Sequence, residues 1–279
     1  MKKTIWTLVL LLSFINHLMA QKIFDVHIHG DKEPSNQLVN LSSNGVYKVA
    51  VSTSWNLQQK YKENEKFGIL HGLMLPCPEG KVPYSSQNCF DNQSDFPDIN
   101  WVENLMKENK IQFLGEVLTQ YYGISPSDPK MHPYYALAKK YEIPVGIHFG
   151  LAGPDHGAPN FKVSLGSPIL LEETLQKFPK LKIWIMHAGA PFLDDTIAIM
   201  KYYNNVYMDI SALNNPYIFS ESDFHYIMKR LIDSGFEDRI MFGSDNGPIK
   251  PIIDNVNKLT FLNQTQKKKD FLQKCRILL

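Results

Sequence analysis

Eight short apolar runs, spaced along 279 residues by amphipathic stretches, leave this chain few folds to choose from. The runs are Phe24–Gly30, Val46–Val51, Phe67–Leu75, Ile111–Leu118, Ile143–Phe149, Leu181–His187, Asn205–Ile210 and Ile240–Phe242. Most are apolar at both parities, as parallel strands covered on both faces must be. Helical patterns separate them. Ser167 is placed to cap a helix with Pro168 in its first turn, Glu172 and Glu173 near its positive end, and Leu170, Leu171, Leu175 and Phe178 on one stripe. Phe224, Ile227, Met228, Leu231 and Ile232 form a second stripe, ended by Gly235. Trp101, Leu105 and Met106 form a third, and Tyr134–Ala138 lies in a fourth. Eight strands alternating with helices over about 260 residues is the size and rhythm of a (β/α)8 TIM barrel. A doubly wound open sheet is the second arrangement, because strand count does not show closure. There is no internal repeat and no clear second domain. The stretch Pro76–Asp98, rich in Pro and Asn, is a long loop after the third strand, of the kind that forms lids or pocket walls.

The first twenty residues stand apart. Lys2 and Lys3 precede an apolar core from Ile5 to Ile15, and Leu18-Met19-Ala20 offers a small-residue cleavage site before Gln21. Residues 1–20 are therefore expected to be a secretory signal peptide, too short for a membrane span, with 21–279 forming one barrel domain in a periplasmic or secreted protein. No Cys follows the cleavage site, so a bacterial lipid anchor is not indicated. Cleavage leaves 27 basic residues (29 minus Lys2 and Lys3) against 28 acidic ones, a net charge of −1. Neither that value nor the +1 of the full chain suggests a nucleic-acid partner or an anionic membrane surface. A small-molecule substrate is the partner expected. Cys77, Cys89 and Cys275 are an odd set; Cys77 and Cys89 either pair and pin one loop or remain free thiols, and the spacing fits no zinc ribbon.

The residues that carry chemistry fall where strands end. His27 and His29 lie one pleat apart on the same face of the first strand, with Phe24, Val26 and Ile28 on the other. Two imidazoles so placed close on a single metal ion, for which neutral imidazole is a good ligand. Glu116 comes late in the fourth strand, His148 ends the fifth, His187 the sixth and Asp245 the eighth. In a barrel these ends ring one mouth, where such enzymes keep their active sites.

In these residues the chain resembles the amidohydrolase superfamily, in particular its amidohydrolase-2 branch. The resemblance rests on Asp25-x-His27-x-His29, Ile143-Pro-Val-Gly-Ile-His148, Met186-His-Ala-Gly189 and Phe242-Gly-Ser-Asp245, in that order along the mature chain. It implies a metal-dependent barrel enzyme in which His27, His29, His148 and Asp245 hold one divalent ion, most often zinc. It places His187 beside the ion's water or the substrate oxygen. Asp245 and His187 are then the catalytic pair, Asp245 as proton acceptor and His187 as partner of the developing oxyanion. The branch includes hydrolases, which attack an amide, ester or lactone carbonyl with metal-activated water. It also includes non-oxidative decarboxylases of aromatic or unsaturated acids. Glu116 has three open readings: a bridge to a second ion completed by His148 and His187, an outer carboxylate orienting a histidine, or a substrate contact. One ion is favoured and two are possible.

His71, inside the third run, reads as a satisfied core histidine. His132 precedes Pro133 at a helix start and His225 sits on an outward helix; neither is a ligand candidate. The turn-rich loop Gly153–Asn160 follows His148, so Asp155, His156 and Lys162 are candidate substrate contacts. Asp209 shares a parity with Tyr207 and Ser211 facing the interior, and Asn246 adjoins Asp245; both are candidate pocket residues.

Overall fold

The computed structural model describes residues 22–64, 67–85 and 87–263. The expected signal peptide and Cys275 lie outside the described residues. Eight parallel strands form one sheet in the order of the chain: β1 (Ile23–His29), β2 (Val46–Ser52), β3 (Gly68–Leu75), β4 (Phe113–Val117), β5 (Val145–Ile147), β6 (Ile183–Ile185), β7 (Val206–Asp209) and β8 (Ile240–Met241). Each strand pairs with the next. The ring is completed by backbone: Val26 N donates to Phe242 O (2.9 Å) and Asp245 N donates to His27 O (2.8 Å). Closure removes the exposed strand edges an open sheet would keep, and it decides between the two arrangements in favour of the TIM barrel.

Helices fill the connections: α1 (Pro34–Ser43), α2 (Trp55–Tyr61), α3 (Ile99–Lys107), α4 (Thr119–Tyr122), α5 (His132–Lys140), α6 (Glu172–Lys177), α7 (Leu193–Tyr202), α8 (Glu221–Asp233) and α9 (Ile249–Asn257). The four apolar stripes read from the sequence fall on α3, α5, α6 and α8. Ser167 accepts from Ile169 N as expected, but its helix begins as a 3-10 turn, Pro168–Leu171, before α6. The α8 stripe buries Phe224, Met228 and Leu231, and the chain turns away at Gly235 with φ +81°, a conformation costly for any residue with a Cβ.

The barrel floor is closed by two large rings. Phe113 of β4 and Trp184 of β6 are fully buried with centroids 5.3 Å apart. They fit because β3 and β5 carry glycine opposite them: a Cβ on Gly72 would lie 2.3 Å from Phe113 Cζ, and one on Gly146 would lie 2.4 Å from Trp184 Cε2. Aromatic bulk against glycine fills the interior at native density, so the polar side chains at the strand ends sit on a solid floor.

His71 of β3 is satisfied, its Nδ1 2.8 Å from Gln58 Oε1. Burial, with Lys62 nearby, pulls its pKa from 6.5 down to about 4. A histidine held below its unfolded value contributes stability above about pH 6.5, which is lost as pH falls through the folded value. The ring is partly solvated, so the contribution is discounted to roughly 1–2 kcal/mol. His71→Gln is expected to flatten the fall in unfolding free energy between pH 7 and pH 4, read by urea denaturation at both values. An unchanged slope would remove His71 as its source.

Candidate metal centre

Two strands depart from regular pairing beside the site. The β1–β2 register shifts between Asp25 and Ile28, bracketing His27, and the β4–β5 register shifts between Leu114 and Val117, bracketing Glu116. Such irregularities re-aim a side chain that simple alternation would place elsewhere. On β6, Trp184 faces inward, so alternation would send His187 outward. The chain leaves the strand first, and φ of +57° at His187 turns the ring into the mouth. Asp245 and Asn246 also take positive φ (+50° and +55°) just past β8. Left-handed backbone at non-glycine residues costs on the order of 1–3 kcal/mol each and gathers where function requires an orientation.

These devices bring the expected residues together. His27, fully buried, has Nδ1 3.1 Å from Asp209 Oδ2 and 3.0 Å from Ser211 Oγ. Its Nε2 is buried without a hydrogen-bond partner and lies 3.8 Å from Asp245 Oδ1. His29 Nε2 lies 2.9 Å from Asp245 Oδ1 and 3.6 Å from Glu116 Oε2. Glu116 Oε1 is 2.7 Å from His148 Nδ1 and 3.8 Å from His187 Nε2. The His187 ring is 4.8 Å from that of His27 and 4.9 Å from that of His148. Two triads have ligand atoms within 4.8 Å of one another: His27, His29 and Asp245, and His27, Glu116 and His187. His148 belongs to neither. Its Nδ1 is turned to Glu116, and its Nε2 is buried with no hydrogen-bond partner.

The charges are balanced to favour a cation. Burial would strip the proton from His27, but Asp209 beside it, with Asp245 and Glu116, holds its pKa up at about 10. Burial would likewise protonate Glu116 and Asp245. The hydrogen bond from His148, with His187 and His29 nearby, keeps Glu116 well below the usual carboxylate range, and His29 with His27 does the same for Asp245. Three ionised carboxylates thus hold protons on His27 and His187, and a divalent ion takes the place of such protons on binding. The donor set fits such an ion: the unpartnered Nε2 of His27 with an Asp245 oxygen facing it, and the unpartnered Nε2 of His148, are N/O ligands suited to zinc or manganese.

The mouth above is a cavity of about 430 Å³. It is lined by His29, Glu116, His148, His187, Asp245 and Asn246, by Tyr84 and Gln87 of the long loop, by Tyr121 of α4, and by His156 and Ile218 from later loops. The Pro76–Asp98 loop is therefore a wall of the pocket. His156 and Asn246 lie where expected, though Asn246 also accepts from His29 N (3.0 Å). Asp209 does not. It is fully buried below the imidazoles, accepting from His27, from His187 N (3.0 Å) and from Ser211 Oγ (2.6 Å). The expectation of a substrate contact is corrected: Asp209 orients two histidines, and alternation alone did not separate floor from mouth. Asp155 is exposed on the rim, accepts from Gly157 N, and does not line the cavity; nor does Lys162. Tyr84 and Ser211 escaped the residue-level reading. Ser211 shares the parity of Asp209, and Tyr84 lies in the loop noted for its length.

Fold and centre together define a metal-dependent barrel enzyme. The amidohydrolase family model (Amidohydro_2) matches residues 115–260, just over half of the chain, and the chain belongs to that family. No curated protein sequence matches it. Among solved structures it is similar to a TIM-barrel protein from Bordetella bronchiseptica (13% identity, 92% of this chain and 98% of that one, TM-score 0.65). It is also similar to a 2,6-dihydroxybenzoate decarboxylase (11%, 94% and 99%, 0.61). A third is a 5-carboxyvanillate decarboxylase from Novosphingobium aromaticivorans with bound manganese (12%, 87% and 80%, 0.58). At these identities the likeness is one of fold.

Proposed function

We propose that this chain is an exported hydrolase that cleaves an amide, ester or lactone of a small uncharged molecule, using one zinc ion. The observation that carries the reading is His27 Nε2: fully buried, unpartnered, and aimed at Asp245. Because Nδ1 of the same ring is engaged by Asp209 and Ser211, His27 has one nitrogen to offer. The two triads share that residue, which supports one ion over two. When bound, the ion supplies Lewis acidity, lowering the pKa of its water to about 7 and polarising a carbonyl oxygen. Asp245, with a side chain 23% exposed, borders both the donor set and the cavity, and takes the proton of the attacking water. His187 is held at Nδ1 by Ser211 Oγ (2.9 Å), which leaves Nε2 for the oxyanion as it forms. Glu116 fixes the His148 ring and contributes charge to the centre.

Among the described residues lining the cavity, none is Lys or Arg. An acid entering for decarboxylation would meet Glu116 and Asp245, with no Lys or Arg beside the ion to receive its carboxylate, so the lining favours an uncharged substrate. The test is a zinc-loaded enzyme assayed against neutral esters, lactones and amides, and in parallel against aromatic acids for carbon dioxide release. Hydrolysis of the neutral set is expected. Carbon dioxide release without any hydrolysis would make the enzyme a lyase. Export is tested separately, by the N-terminal residue of the protein recovered from outside the cytoplasm, expected to be Gln21.

A further inference from the structure

The Cys77–Cys89 disulfide settles the pairing left open by the sequence, and it clasps the base of a hairpin. Within it Lys81 bridges Asn88, Cys89 N donates to Gly80 O (2.9 Å) and Val82 N to Gln87 O (2.8 Å). The clasp is anchored on both sides, by Cys77 N to Asp95 O (2.8 Å) and Trp55 N to Cys89 O (2.9 Å). The tip reaches over the centre. Tyr84 Oη lies 2.6 Å from His29 Nδ1 and 3.7 Å from Met74 Sδ, and its ring lies 4.2 Å from the His29 ring. Among the described residues it is the one hydrogen-bond partner of that nitrogen.

We propose that Tyr84 positions His29 for the ion, and that the Cys77–Cys89 disulfide holds Tyr84 in place, so that reducing the disulfide weakens ion binding. This rests on the reading of the centre given above. A ligating imidazole must present its lone pair at the nitrogen facing the ion and carry its proton on the other. His29 Nε2 faces Asp245 and Glu116, so the proton belongs on Nδ1. The Tyr84 hydroxyl accepts it while donating its own hydrogen toward Met74. Without the clasp, the hairpin is left with its backbone bonds, the Ser54 Oγ–Gln87 Oε1 bond (2.8 Å) and the buried Val82 to hold a partly buried tyrosine over a short hydrogen bond. Chain entropy then competes with that bond. Both cysteines are buried (0% and 1% exposed), so the clasp opens when the hairpin does. A phosphine reductant converts the disulfide to two thiols and is itself oxidised to the phosphine oxide, with water supplying the oxygen and both protons.

The measurement is zinc affinity by competition with a chromophoric chelator, on the whole chain. Tyr84→Phe is expected to weaken zinc binding about 10–100-fold, the usual loss for an outer partner of a ligating histidine. It should also change the long-range proton–nitrogen NMR signature of His29 Nδ1, which a merely structural role would leave alone. Cys77→Ala/Cys89→Ala, or phosphine treatment followed by its removal, is expected to give the same direction of change. The combined variant should lose little more than either alone, because both act through one bond. Equal zinc affinity and an unchanged His29 signature in Tyr84→Phe would overturn the proposal, as would fully multiplicative losses. Should the alanine pair not fold, the Tyr84→Phe comparison still decides. A wild-type chain that holds no zinc is a different result, and overturns the reading of the centre itself.

Discussion

Asp245→Asn is expected to lower kcat by about 10²–10⁴-fold, the range for loss of a positioned proton acceptor. The amide keeps the shape of the carboxylate and one oxygen for His29, so the pocket stays formed. What disappears is the charge that His29, 2.9 Å away, and His27, 3.8 Å away, hold ionised against burial. An amide neither accepts the water proton at neutral pH nor balances an ion as strongly. Ion content measured on the same preparation separates the two losses. A variant that still carries its ion and has lost turnover assigns Asp245 to proton transfer. Turnover within about threefold of wild type would show that Asp245 is not the base.

His27→Ala is expected to abolish ion retention and to destabilise the fold by roughly 3–5 kcal/mol, the cost of leaving a buried charge without its partner. The orphaned group is Asp209, fully buried, which the charge of and hydrogen bond from His27 keep ionised despite burial. The wild-type Tm should rise with added zinc by mass action on the folded state. The variant should show a lower Tm and no such rise. A double change, His27→Ala with Asp209→Asn, should recover part of the stability without recovering ion binding. If His27→Ala keeps both the zinc response and the wild-type Tm, the convergence on this ring has no bearing on metal.

How much of this was written in the chain differs by element. All eight strands were legible because buried parallel strands need apolar residues at both parities, and runs such as Ile143–Phe149 and Leu181–His187 enclose β5 and β6. Their ends were overextended by up to two residues, because the chain turns off the strand into the mouth before the apolar pattern stops. The centre was legible as residue types at strand ends. Its geometry was not, since His187 and Asp245 reach the mouth through positive φ, and Glu116 through a register shift that no spacing rule reports. Asp209 was assigned to the mouth because period two gives a face and not a depth. Tyr84 stayed hidden because its role depends on a long-range pairing of two cysteines and on the fold of the loop between them.

Elemental analysis of gently prepared, zinc-supplemented protein, combined with anomalous scattering from its crystals, asks whether the strand ends around the mouth hold a cation at all. One ion per chain is expected, within bonding distance of His27 Nε2, His29 Nε2 and an Asp245 oxygen. Less than half an equivalent, or an ion bound away from His27, would contradict it.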